Sequence, residues 1–385
     1  MKNSLIVITI FILLCSSIIP FNDVSAQTST IIIRSDGIVS VSSGIQRDGD
    51  TYVLTTDLNS PIEIQKNNII IDGANHTLQG SGKNNELAAI SLKASNVTIT
   101  NFYIADWTTG IYGAYANNTI AYNEFSDTNR AIALYDTNYV INGNIIQRSG
   151  SGIYIKLDTV NPPKGNNRVA NNQIINNQWA FNIINSNGTT IAQNYVANNE
   201  VVLTISGGQN GDYRDAGYHL FHLNDFINNK QVLYVNPMAA GGPFVSGLSP
   251  ISPAGNWDNG TTGNHWSDYV TKYPNASEIS NKGIGNTPYL IETEPISWSH
   301  GNGEEGTTIL GRAVDCYPLV YDGDISTDTK PQPSSTNSPS VSSSTSPNAS
   351  NNIPNEYVIV VILVIAILIT SLIVITYRKK HWQKH

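Results

Sequence analysis

A 21- to 22-residue period constrains this chain more than any other feature, because self-similarity at that period implies stacked coils before any local motif is read. Short apolar segments at Ile111, Ile132, Ile153, Phe181 and Val202 follow one another at intervals of 21, 21, 28 and 21 residues. The long interval marks an insertion, placed at Asp158 to Asn166 around Pro162 and Pro163. A second series runs in phase with the first. Asn101, Asn123, Asn144, Asn172, Asn194 and Asn224 each stand two residues before an apolar or aromatic side chain.

The period belongs to strands and not to helices. Apolar residues alternate, as in Val97 and Ile99 or Ile153 and Ile155, and each segment is only a few residues long, bounded by Asn or Gly. β-Branched and aromatic side chains dominate, which suits a pleated surface. Asn and Gly between the segments tolerate the left-handed backbone of a sharp corner. The expectation is an all-β parallel β-helix, with equivalent residues stacked at the ~4.8 Å strand spacing. Ile and Val would fill the interior, and the six recurrent asparagines would form a ladder of amides.

Around residues 62–236, read as the β-helix, the remaining chain divides by composition. Residues 1–26 form a secretory signal, with Lys2, an apolar run from Leu5 to Ile19 and small residues Val24, Ser25 and Ala26 before the cut. Residues 27–61 supply N-terminal cap strands over the first open edge, and Ile69 to Leu78 reads as the opening coil. Residues 237–325 form a C-terminal cap, and 326–355, rich in Ser, Thr, Pro and Asn, form a disordered stalk. Residues 356–377 hold an uncharged apolar run, Val358 to Thr376, expected to be a transmembrane helix. The basic tail 378–385, with Arg378, Lys379, Lys380 and Lys384, orients that end toward the cytoplasm. The reading is a single-pass membrane protein with its bulk outside the cell.

Charge and cysteine fit an exterior location. With 21 basic and 29 acidic residues the chain is acidic, which argues against nucleic acid as a partner. Removal of the signal leaves Cys316 as the only cysteine, so no intramolecular disulfide forms. Sequons at Asn75, Asn96, Asn117, Asn187, Asn259, Asn275 and Asn348 are candidate glycosylation sites.

Three C-terminal segments carry a resemblance. The first runs from Asn256 to Tyr269 and includes Trp257, Asp258, Asn259, Gly260, Asn264, Trp266 and Asp268. The second holds Gly283, Gly285, Pro288 and Tyr289, and the third, Asp315 to Leu319, holds Tyr317 and Pro318. Together they are similar to the C-terminal signature of NosD-like β-helix proteins, a group described as periplasmic copper-binding or as carbohydrate-binding and sugar-hydrolase-like. The likeness covers residues 30 to 322 and is to the form common on archaeal surfaces. It implies a right-handed parallel β-helix outside the membrane, and copper or carbohydrate as the ligand. This chain departs from the pattern between Tyr273 and Lys282, where relatives carry several aspartates. Here only Glu278 is acidic, and Asn286 stands where Asp is usual. A calcium site needs 6 to 8 oxygens, several from carboxylates, so a cation turn is not expected there. Glu292 to Gly311 is an insertion relative to the signature.

Three classes of chemistry bear on the function. A copper site needs clustered His, Met or Cys. The candidates are His219, His222 and His265, and their spacing does not bring them together; His219 and His222 sit three apart in a strand and point to opposite faces. A glycosidase needs carboxylates ~5–9.5 Å apart on one face, yet Asp106, Glu124, Asp127, Asp136 and Asp158 do not recur in register. Asp212, Arg214 and Asp215, in an insertion before the Asn224 coil, are the local catalytic candidates. Binding is the third class. Tyr103, Tyr112, Tyr115, Tyr122, Tyr135, Tyr139 and Tyr154 are numerous enough that part of the set must face outward among Asn and Gln amides, as on a glycan-binding surface. Trp257 and Trp266 read as cap core. The expected function is non-catalytic binding or display of envelope or environmental polysaccharide, with no required cofactor. A copper-handling accessory role and a polysaccharide lyase or hydrolase are the alternatives, and Ca2+ or copper the metals to test.

Overall fold

The computed structural model describes residues 29–40, 44–83, 87–157, 165–184, 186–206, 219–235, 255–279, 282–292, 296–299, 305–308 and 313–320. All of them fall in one unit, Met1–Pro333. The expected signal, stalk, transmembrane helix and basic tail lie outside these residues, as do Asn348, Asp212, Arg214 and Asp215. Among the described residues no helix is long and apolar enough to cross a membrane.

The strands stack into three long sheets. Sheet A contains β1 (Ile31–Ile33), β4 (Ile62–Ile64), β7 (Ala88–Leu92), β10 (Thr109–Gly113), β13 (Arg130–Leu134), β16 (Ser151–Lys156), β19 (Trp179–Ile184), β22 (Val201–Ser206) and β25 (Gln231–Val235). Sheet B contains β2 (Ile45–Asp48), β3 (Thr51–Leu54), β5 (Ile70–Asp72), β8 (Thr98–Thr100), β11 (Thr119–Ala121), β14 (Val140–Asn142), β17 (Arg168–Ala170), β20 (Thr190–Ala192), β23 (His219–His222) and β26 (Gly255–Asn256). Sheet C contains β6 (Thr77–Gln79), β9 (Tyr103–Ala105), β12 (Glu124–Ser126), β15 (Ile145–Gln147), β18 (Gln173–Ile175), β21 (Tyr195–Ala197), β24 (Asp225–Ile227) and β27 (His265–Trp266). Each coil contributes one strand to each sheet in turn. Pairing between coils is parallel, and only the β2–β3 hairpin at the first edge of sheet B is antiparallel. This is a parallel β-helix.

β1 pairs in parallel with β4, so the stack begins at Ile31, inside the segment assigned to the N-terminal cap. It also runs past residue 236, because β26 and β27 continue sheets B and C. The cap beyond them holds α1 (Tyr269–Lys272), the antiparallel pair β28 (Tyr289–Ile291) and β31 (Ala313–Asp315), and the hairpin of β29 (Ile296–Ser299) with β30 (Glu305–Thr308).

Register explains the core. Ile90, Ile111, Ile132, Ile153, Phe181, Leu203 and Leu233 stack in one interior column of sheet A, each fully buried. Burying one such side chain contributes roughly 1.5–3 kcal/mol, so the column alone is a large part of the folding free energy. Val202 is one residue out of this column. It stands instead in register after Gly110, Ala131, Gly152 and Ala180, where the strand enters the interior close to side chains of sheet C. A Cβ on Gly110 would press on Phe125, and one on Gly152 on Ile174.

Corners follow a two-residue rule. A residue with positive φ comes first, as in Asn117 (65°), Asn171 (56°), Asn176 (58°), Asn198 (56°) and Asn228 (50°). The next residue turns its polar side chain inward, as do the buried Asn118, Asn172, Asn177 and Asn199. Asn fits both roles, because its short amide tolerates the left-handed region and can also satisfy backbone groups at the bend.

Candidate functional site

Between sheets B and C the corner asparagines form a continuous buried ladder. The backbone N–H and Nδ2 of Asn123 both donate to Asn144 Oδ1, at 3.0 and 3.1 Å. Asn144 does the same to Asn172, Asn172 to Asn194, Asn194 to Asn224, and Asn224 to Asn264. Asn101 is not a rung. It occupies the positive-φ corner (57°), with its Nδ2 on Asp72 Oδ1, and the apolar Phe102 stands in the ladder position, its N–H donating to Asn123 Oδ1. A second ladder, which the 21-residue reading did not isolate, runs between sheets C and A. There Ser149 N donates to Asn177, Asn177 to Asn199 and Asn199 to Asn229. Its signal was the run of Asn-Asn pairs at 176–177, 198–199 and 228–229.

Every rung-to-rung bond of the first ladder donates toward the C-terminus, so the last rung needs an acceptor. Asp315 supplies it. Its Oδ2 accepts from Asn264 N at 2.7 Å, Asn264 Nδ2 at 3.3 Å and Trp266 Nε1 at 3.0 Å, while Oδ1 accepts from Tyr317 N at 3.0 Å. Burial pushes this carboxyl up to about 6, against the pull of those donors.

The signature residues surround that terminus. Trp257 stacks on Phe221 with ring centroids 4.2 Å apart, and Trp266 on Tyr289 at 4.1 Å; both tryptophans are buried. Asp258 closes a turn on Gly260 N and accepts from Cys316 N, and Asn259 Oδ1 accepts from Thr261 N and Thr262 N. Asp268 accepts from the Tyr289 hydroxyl, and Tyr269 donates its hydroxyl to Thr287 O, with Gly285 leaving room for that ring. Backbone bonds from Gly263 N to Tyr317 O and from Gly285 N to Pro318 O tie the three segments together. Gly283, at φ 68°, has its N–H on Glu278, and Pro288 is exposed just before β28. Asn286 receives Ser277 N on its Oδ1 and donates Nδ2 to Ser277 Oγ.

The histidines face three directions. His219 is interior, with Nδ1 taking Thr189 N at 3.3 Å in a corner position filled by Asn118 and Asn167 in other coils. His222 is half-buried on the outer side of sheet B, and burial lowers its pKa. His265 lies on the outer side of sheet C, with Nδ1 3.4 Å from Asp225 Oδ1. Cys316 is exposed, and partial desolvation and Asp258 push its thiol pKa up, away from the thiolate that a metal prefers. Among the described residues no three His, Cys, Asp or Glu side chains gather as metal ligands. Of the sequon asparagines, Asn75, Asn96, Asn117, Asn259 and Asn275 are exposed, and Asn187 is half-buried.

One outer surface brings chemistry together. Tyr112, Ala133, Tyr154, Asn182, Thr204 and Tyr234 lie in a single outward column of sheet A. Tyr135, from the end of β13, leans over the gap that Ala133 leaves. Its ring centroid is 5.0 Å from Tyr112 and 5.8 Å from Tyr154. The Arg130 guanidinium lies over the Tyr154 ring at 4.5 Å. The other tyrosines of the set do not join them. Tyr139 is fully buried, Tyr103 is on sheet C, and Tyr122 is at a corner with φ 59°.

A parallel β-helix closed by a Trp-rich cap is the class that fold and signature define. The family model of the periplasmic copper-binding protein (NosD) matches residues 22–271. The chain belongs to that family. No curated protein and no solved structure matches it.

Proposed function

We propose that this chain is a surface-displayed, right-handed parallel β-helix that binds polysaccharide along the outer face of sheet A, without catalysis of its own. The observation that carries the reading is the cluster of tilted rings Tyr112, Tyr135 and Tyr154, with Tyr112 exposed, beside Arg130 and Asn182. Aromatic rings on a rigid flat sheet offer apolar faces to sugar rings at little entropic cost, while neighbouring amides and hydroxyls bond sugar hydroxyls. Display fits the apolar segments at the two ends of the chain and the periplasmic location in the family description. Glycans on the exposed sequons would accompany it. The test is a glycan array probed with the full-length chain. Retention should fall about tenfold in Tyr112→Ala and stay unchanged in Tyr103→Ala; an array without hits would refute binding.

Copper is the second reading, favoured by the family description alone. It predicts stoichiometric copper retained by the chain through dialysis.

A further inference from the structure

We infer that the polysaccharide taken by sheet A is anionic, its carboxylate or sulfate groups gripped by Arg130; this rests on the binding reading above. The first ground is the charge pattern. In a chain with 29 acidic residues, the seven strands β7, β10, β13, β16, β19, β22 and β25 contain none, while β13 and β16 carry Arg130 and Lys156. Sheets B and C do carry acids, such as Asp72, Glu124 and Asp225. An anionic polymer would be repelled by most of this molecule and tolerated on this one face.

Arg130 itself is the second ground. Three other cations of the described residues are spent on neighbours: Arg148 on Asp127 at 2.8 Å, Lys93 on Glu63 at 2.8 Å and Lys230 on Glu200 at 2.8 Å. Among the described residues the Arg130 guanidinium is engaged only with the Tyr154 ring, which leaves its planar fork of donors to an incoming oxyanion.

Access is the third. Tyr112, 36% exposed, opens the outward column, whereas Ala133, Tyr154 and Thr204 further along it are buried. The polymer would therefore meet this face at the Tyr112 end, its rings on Tyr112 and Tyr135 and its charge at Arg130.

The experiment measures binding of the full-length chain to three probes: polygalacturonate, the same polymer with its carboxyls reduced to alcohols, and dextran sulfate. The expected result is at least tenfold tighter binding of an anionic probe than of the reduced polymer, weakened by salt. Preference for polygalacturonate assigns the charge to carboxylate, and preference for dextran sulfate to sulfate. Arg130→Gln should abolish the preference and leave the weak neutral binding in place, and Arg130→Lys should retain part of it. Equal binding of charged and reduced polymers, or an unchanged preference in Arg130→Gln with native circular dichroism, overturns the inference while polysaccharide binding survives. Binding of none of the probes or array glycans overturns both.

Discussion

Asn172 offers the sharpest test of the amide ladder. Its Oδ1 accepts from Asn144 N and Nδ2, both at 2.9 Å, and its Nδ2 donates to Ile141 O, Ala170 O and Asn194 Oδ1 at 3.0, 2.9 and 2.9 Å. Replacement by Ala removes all five bonds from a residue only 1% exposed. A net hydrogen bond contributes about 0.5–1.5 kcal/mol, and a buried orphan costs about 1–3 kcal/mol. Asn144 Nδ2 and Asn194 Oδ1 keep other partners, so the principal orphan is the Asn144 N–H. The expected loss is about 3–5 kcal/mol, large by the standard of point mutants. Asn101→Ala removes a single bond to Asp72 and leaves Ala at φ 57°, so it should cost about 1–2 kcal/mol. The assay is urea unfolding of the full-length chain followed by circular dichroism, with the two variants side by side. Equal losses for Asn172→Ala and Asn101→Ala would refute the ladder as a source of stability.

Further outcomes follow from the cap and the corners. Gly263→Ala would drive a Cβ into the Asp315 carboxylate, so its melting temperature should fall by several degrees, with Tyr289–Trp266 stacking lost in near-ultraviolet dichroism. Asp315 is a carboxyl whose folded pKa, about 6, lies above the ordinary value of 3.8. The protonated form is thus favoured by the fold, and its contribution is complete below about pH 4 and is lost as pH rises through 6. Asp315→Asn should flatten that part of the stability–pH profile; an identical slope would contradict it. Leu223 holds φ 57° at a corner where Asn or Gly is usual, so Leu223→Asn should gain about 1 kcal/mol in the same unfolding assay. Arg148 and Asp127 pair on the exposed surface, and Arg148→Ala should change stability by less than about 1 kcal/mol.

The period made the fold legible because register in a solenoid repeats one hydrophobic decision in each coil. Single-residue errors entered where the chain turns. Asn101 and Val202 each stand one residue from the column assigned to them, because a corner accepts Asn in the left-handed position as readily as in the inward one, and the interior accepts either of two adjacent apolar residues. The Asn-Asn pairs distinguish the two roles, but only once both positions are understood as different. Signature residues were legible as a group, while the reason for Asp315 was not. Its task depends on the direction of hydrogen bonding along the ladder, which composition does not encode. The face of sheet A was half legible. Tyrosines were visible, but which three of the seven converge is set by Ala133 opening a gap between two rungs. Asp212, Arg214 and Asp215 remain catalytic candidates on sequence grounds, outside the described residues.

The most direct test of glycan binding on sheet A is hydroxyl-radical footprinting of the tyrosines in the full-length chain, with and without a polymer that it retains. Tyr112, 36% exposed, and its neighbour Tyr135 should lose reactivity on binding, while Tyr103, at 43%, and Tyr122, at 48%, should keep theirs. Protection of Tyr103 or Tyr122 with Tyr112 unchanged would place the ligand elsewhere and contradict the account.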